Sequence, residues 1–201
     1  MDTDLESGMD DQGIKLVFES ENLEFCSYNP LRDDTVFNSV QNCASSIINW
    51  CASTPRPMDF NFTSRVARYL QRRSLLFATI FEDGLHGYPP IGTLFFESSH
   101  RDMVHHQCSK LEVGILKEHQ QYETEAINWA LNWAFNSANL HRVEVNVPSW
   151  NLRMSKLCGE IGFHTEGVRK ECYFKDGEWW NEVNMSMLKK DWKERQAEMK
   201  K

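Results

Sequence analysis

Apolar positions recur along the chain with two periods, and together they predict alternating strands and helices. Over 14–28, β-branched and aromatic residues alternate with polar ones (Leu16, Phe18; Leu23, Phe25), which predicts a first strand, extended or doubled back at 20–22. Over 34–52, Val36, Phe37, Val40, Ala44, Ile47, Ile48 and Cys51 recur at three- and four-residue spacing, as in a helix. The stretch Thr54-Pro55-Arg56-Pro57 breaks that helix, because each proline disfavours helical backbone in the residue before it. A second amphipathic stretch covers 60–73. Strand-like runs then follow at 75–81, 91–97 and 110–116, the first two separated by a Gly/Pro turn over 83–90. The polar connection 98–109 carries His100, His105 and His106. The strongest helical period lies at 122–137, where Ala126, Ile127, Ala130, Leu131, Ala134 and Phe135 share one face. A strand over 141–147 leads through Pro148-Ser149 into a helix that stops at Gly162, a residue suited to a left-handed cap. Runs at 168–174 and 179–188 flank Asp176-Gly177, a two-residue hairpin signal because both turn positions need positive φ.

The order is strand, two helices, three strands, helix, strand, helix, hairpin, and it predicts a mixed α/β (α+β) domain. A chain of 201 residues suits a single core. The boundaries read as a disordered acidic arm over 1–13, one domain over 14–192 and a charged tail over 193–201. Formal net charge is −7, and five acids with no base among them (Asp2, Asp4, Glu6, Asp10, Asp11) belong to the arm. The body is therefore near neutral and has no basic face for nucleic acid. The six cysteines form no C-x-x-C pair and read as free thiols. No apolar run reaches the roughly 20 residues that span a bilayer, and no secretory leader is recognisable. The expected location is cytoplasmic, a nuclear one also being compatible. Oligomeric state is not readable.

Five segments, in order, carry a resemblance to a known family. They are Leu111-Glu112-Val113-Gly114-Ile115-Leu116; Thr124-Glu125-Ala126; His141-Arg142-Val143-Glu144-Val145; Asn151-Leu152-Arg153-Met154-Ser155-Lys156 with Ile161-Gly162-Phe163; and Glu166-Gly167-Val168-Arg169 with Lys175-Asp176-Gly177-Glu178-Trp179 and Asp191-Trp192. This series resembles the GNAT (GCN5-related) N-acetyltransferases, and its last segment resembles the branch that acetylates ribosomal-protein N-termini. The resemblance implies a central, mostly antiparallel sheet that splays open between helices, acetyl-CoA as co-substrate, and direct attack by an amine acceptor. The acceptor is a protein N-terminus, a lysine or a small amine. It also implies that the backbone of Glu112, Val113, Gly114, Ile115 and Leu116 holds the pantetheine arm, because splayed strands leave donors and acceptors that an amide-bearing ligand can satisfy.

The chain departs from the family where the cofactor's diphosphate should sit. The family has a glycine-rich loop opening the long helix, where backbone N–H groups and the helix dipole meet the anion. Here the segment is Lys117-Glu118-His119-Gln120-Gln121-Tyr122-Glu123-Thr124, shorter and without glycine. The remaining cofactor contacts implied by the resemblance are Gln121, Thr124 and Asn151, the last equally readable as a helix N-cap.

Amine acylation needs a base for the ammonium and a proton donor for the departing thiolate. Glu112 is the first candidate base, with His105 and His106 as alternatives. Ser155 is the candidate acid, because the tyrosine that many family members carry on this helix is replaced by Cys158. No ligand spacing supports a metal. A second reading is a GNAT-fold binding or regulatory module that has lost the cofactor loop, and a third is an enzyme using another thioester or another cofactor pose.

Overall fold

The computed structural model describes residues 18–41, 59–83, 89–98 and 101–199. The acidic arm, the Thr54–Pro57 break, residues 42–52 of the first helix and the tip of the Gly/Pro turn lie outside these residues.

The elements follow the predicted order. They are β1 (Leu23–Ser27), α1 (Pro30–Gln41), α2 (Phe60–Arg73), β2 (Ser74–Glu82), β3 (Gly92–Glu97), β4 (Cys108–Ile115), α3 (Glu123–Asn132), β5 (Arg142–Pro148), α4 (Leu152–Ile161), β6 (His164–Lys175), β7 (Glu178–Leu188) and α5 (Lys189–Met199). Short 3₁₀ turns precede β4 (Arg101–His106) and α3 (Lys117–Tyr122), and a wider π-type turn (Trp133–Ser137) ends α3. Thus the helical pattern over 122–137 is one apolar face carried by two helix types.

Caps and turns account for the sharp boundaries. Asp59 accepts a hydrogen bond from the Phe62 amide at the start of α2, and Asn151 accepts one from the Met154 amide at the start of α4. Gly162 ends α4 at φ 108°, and its N–H donates to the Cys158 and Gly159 carbonyls. Asp176 (φ 53°) and Gly177 (φ 85°) make the hairpin turn with both residues left-handed.

The strands form one seven-stranded sheet in the order β1-β2-β3-β4-β5-β7-β6. All neighbours are antiparallel except β4 and β5, which run parallel. One face carries the larger core: Leu94, Phe96, Leu111, Val113, Ile115, Val143, Val145 and Val147 pack with Ala126, Ile127, Ala130, Leu131 and Phe135 of the α3 region and with Met154, Cys158 and Ile161 of α4. The other face holds a smaller cluster, with Phe77 and Phe95 against Phe37 and Val40 of α1 and Ala67 and Leu70 of α2. Each strand residue therefore faces one cluster or the other according to its parity.

The β4–β5 contact is short. Only Cys108–Lys110 pair with Arg142–Glu144. Beyond that point residues 111–115 keep their pairing with β3, and residues 145–148 keep theirs with β7. Between these strands the sheet is open on the side where α3 and α4 begin.

Candidate active site

The opening exposes a one-sided strip of β4 backbone. In an antiparallel ladder only alternate residues bond the neighbour on a given side, so every second residue of 111–115 turns its N–H and carbonyl toward the gap. Leu116, one residue further, is differently engaged: its N–H donates to the Ile91 carbonyl at 2.9 Å, and its carbonyl accepts from the His119 N–H at 2.9 Å. Its side chain packs beside the α1/α2 cluster. With Leu116 so engaged, the backbone left for the role expected of this stretch is that of the alternate, gap-facing residues within 112–115.

Glu112 lies opposite Phe95 and so projects from the sheet face that carries α1 and α2. It is a buried carboxylate, 1% exposed, and Lys110 Nζ lies 3.2 Å from its Oε1. Lys110 also reaches Glu97 at 2.8 Å. Burial alone would favour neutral lysine, but the two carboxylates outweigh it and hold the ammonium above its ordinary pKa.

The same face continues across the gap onto β7 and β6. Glu182, buried, accepts a hydrogen bond from the Tyr173 hydroxyl. Burial, and then Glu182, push the Tyr173 pKa upward, so its O–H stays protonated through neutral pH. Glu112 adds a small push in the same direction. Trp150, just past β5, meets Tyr173 and Trp180 edge-on at 5.5 and 6.0 Å, and Lys175 Nζ lies 4.9 Å over its ring. Glu182, Tyr173 and Trp150 are not singled out by the sequence. The signal for Glu182 and Tyr173 was parity: counted from the Asp176-Gly177 turn, both share a face.

The other predicted residues are dispersed. The Ser155 Oγ on α4 is buried and has no hydrogen-bond partner among the described residues. Asn151 spends its side-chain oxygen on capping α4. Gln121 and Thr124 line a separate cleft of about 760 Å³ between α3, residues 19–21 and α5, rather than the opening. His105 and His106 are exposed in the turn before β4, at the end where β4 and β5 are paired. The taut end of the parallel pair therefore separates them from the gap. Among the described residues, no group of side chains suits a metal ion. Cys158 faces the core, and burial, helped by Glu123, pushes its thiol up to about 12, so it stays protonated. The tryptophans divide: Trp129 stacks on Phe25 at 3.6 Å and Trp133 on Phe96 at 5.5 Å as core, whereas Trp180 joins the Trp150 group. Trp179 is exposed against Phe174.

At the start of α3 the glycine-free segment forms a 3₁₀ turn, and Glu123 is buried. Its carboxylate receives both arms of Arg153 from α4, at 2.5 and 2.8 Å. Tyr122 donates to Glu82 at 2.5 Å, and Glu125 is held by Ser20 and Asn22. These ties anchor the turn to β2 and to the N-terminal strand.

No family model matches the chain. An uncharacterized N-acetyltransferase of Bacillus subtilis, YnaD, is 31% identical over 75 residues, which is 37% of this chain and 44% of that protein. The [ribosomal protein uS5]-alanine N-acetyltransferase of Escherichia coli is 29% identical over 68 residues, 34% of this chain and 35% of that enzyme. The chain thus matches less than half the length of these curated relatives. Solved structures match over far more. A GNAT-family acetyltransferase of Bacillus anthracis superposes with a TM-score of 0.69 at 15% identity, covering 86% of this chain and 98% of that one. A spermidine N-acetyltransferase of Vibrio cholerae, in complex with CoA and spermine, gives 0.71 at 20% identity, covering 85% and 97%. The fold is that of the GNAT acetyltransferases.

Proposed function

We propose that this protein is a GNAT N-acyltransferase that moves an acetyl group from acetyl-CoA to an amine at the β4–β5 opening. The observation that carries the proposal is the buried Glu112 carboxylate, on a strand whose backbone is left half-unpaired where the sheet opens. Acyl-CoA fits this opening at its thioester end. Alternate residues of 111–115 offer backbone groups to an amide-bearing arm, and the Ser155 hydroxyl is a buried polar atom in want of a partner. When bound, the thioester supplies an activated acyl carbon and a thiolate leaving group.

The side chains divide the proton work. Glu112 accepts a proton from the incoming ammonium, directly or through one water, with Lys110 fixing its position. Glu182, with Tyr173 on it, gives the acceptor cation a second carboxylate across the gap. Ser155 is the candidate donor for the thiol. Cys158, protonated and packed in the core, is no nucleophile, which favours direct transfer without an acyl-cysteine.

The acceptor class follows from two buried carboxylates and an aromatic wall, which suit a primary ammonium. The matched relatives named for spermidine and for a ribosomal-protein alanine both act on such amines. The ribosomal-protein branch remains the preferred placement on the sequence motifs. Among the described residues no helix is long and apolar enough to cross a membrane.

The test is isothermal titration with acetyl-CoA, followed by thiol release on a panel of N-terminal peptides, lysine peptides and polyamines. Saturable heat with turnover on one amine class is the expected result. Absence of heat at millimolar acetyl-CoA, with the protein folded, leaves the alternative of a binding or regulatory module. The glycine-free turn before α3 favours that alternative.

A further inference from the structure

The helices that follow β4 and β5 are joined by one ion pair across the opening of the sheet. Glu123 is the first residue of α3, and Arg153 lies in the first turn of α4. Both carboxylate oxygens of Glu123 are taken by the two terminal nitrogens of Arg153. The partners are unequal. The Glu123 side chain is 4% exposed and that of Arg153 is 44% exposed. A buried carboxylate depends on its cation, whereas a half-solvated guanidinium does not depend on its anion. The planar fork of arginine accepts a carboxylate or a phosphate equally well.

The surroundings give a phosphate few other footholds. The turn Lys117–Tyr122 contains no glycine, so its backbone has no residue suited to folding closely around an anion. His119 leans toward Glu82, with Nδ1 4.0 Å from its Oε2. Glu118 and Glu125 add negative charge beside the turn, and Glu125 is pinned there by Ser20 and Asn22.

We propose that Arg153 is the residue that grips the diphosphate of acyl-CoA, and that Glu123 is an internal carboxylate occupying its fork until the ligand displaces it. This assignment rests on the acyltransferase reading above. The exchange moves a guanidinium from one anion to another and strands a buried carboxylate. Cofactor binding is therefore weaker than the guanidinium alone would allow, and the pair acts as a built-in competitor. In place of a glycine loop on α3, the cation comes from α4.

The experiment measures binding of CoA, dephospho-CoA and pantetheine by titration calorimetry to wild type, Glu123→Gln, Arg153→Met and the double variant. Glu123→Gln should tighten CoA and dephospho-CoA at least ~10-fold, and adding Arg153→Met should remove that gain. Pantetheine, which lacks the diphosphate, should bind all four proteins alike. Equal CoA affinity for Glu123→Gln and the double variant, or a pantetheine shift as large as that of CoA, would overturn the assignment while leaving the acyltransferase reading intact. If no protein binds either CoA or pantetheine, both fall. A response of CoA but not dephospho-CoA would move the arginine to the 3′-phosphate and also overturn it. Should Glu123→Gln not fold, Glu123→Ser serves, and wild type gives a check of its own: rising salt should weaken CoA and spare pantetheine.

Discussion

At the residue scale, the site depends on charges whose surroundings set their state. Replacing Glu112 by Gln removes a proton acceptor and keeps the shape, so acyl transfer should fall about 100-fold or more. CoA affinity should stay within a few-fold, because the Glu112 side chain is not among the cofactor's proposed contacts. Thiol-release kinetics and titration on the same variant separate the two, and loss of CoA binding would show Glu112 to be structural. Glu166 gives a pH prediction. Arg142 grips its carboxylate bidentately and Ser186 donates to it, which together bring its pKa down to about 2. A depressed carboxylate contributes stability above its unfolded value of about 4.5, and that contribution is lost as pH falls from there toward 2. The pair is half-exposed, so Glu166→Gln should cost no more than about 1 kcal/mol at neutral pH. Denaturant unfolding at pH 7 and pH 2.5 would check this; wild type and variant should converge at the lower pH.

At the scale of elements, turn chemistry was legible and side-chain destination was not. Asp176-Gly177 and Gly162 stand in the left-handed backbone their residue types predict. Gly162→Ala should destabilise by roughly 1–2 kcal/mol, read by thermal melts, because a Cβ is strained at φ 108°. The periodicities located β4 and α4, although β4 begins at Cys108 and α4 only at Leu152, beyond the Pro148-Ser149 turn. They did not reveal that β4 leaves β5 after Lys110, because strand parting is set by what lies on either side of each strand and not by its own pattern. That parting is testable by hydrogen exchange. Alternate amides of residues 111–115, turned to the gap, should exchange faster than those bonded to β3, and acetyl-CoA should slow them selectively. Uniform protection along the strand would mean that the sheet is closed in solution. Gln121 and Thr124 show the same limit: the family spacing brought them near the helix start, and both line the cleft beside residues 19–21.

At the scale of the whole molecule, two clusters on opposite faces hold the sheet while its middle stays open, and α5 closes one end. Trp192 of α5 is 3% exposed and packs on Phe135 at 6.1 Å. Trp192→Ala should cost about 3–5 kcal/mol in denaturant unfolding, and a cost near zero would mean that α5 is not docked in solution. The charged tail over 193–201, whose composition also allows a frayed helix, continues α5 as far as Met199, and Trp192 sits against the core. By itself the sequence determined the order of the elements, their caps and turns, the mixed α/β class and the carboxylate on β4. These depend on local periodicity and local backbone preference, which neighbouring residues carry. Only the tertiary structure decided that Glu182 and Tyr173 share the sheet face of Glu112, that the Ser155 hydroxyl has no partner among the described residues, and that Glu123 of α3 is held by Arg153 of α4. Those contacts join residues distant in sequence, and their partners are chosen by how strands and helices pack, which no single stretch of the chain records.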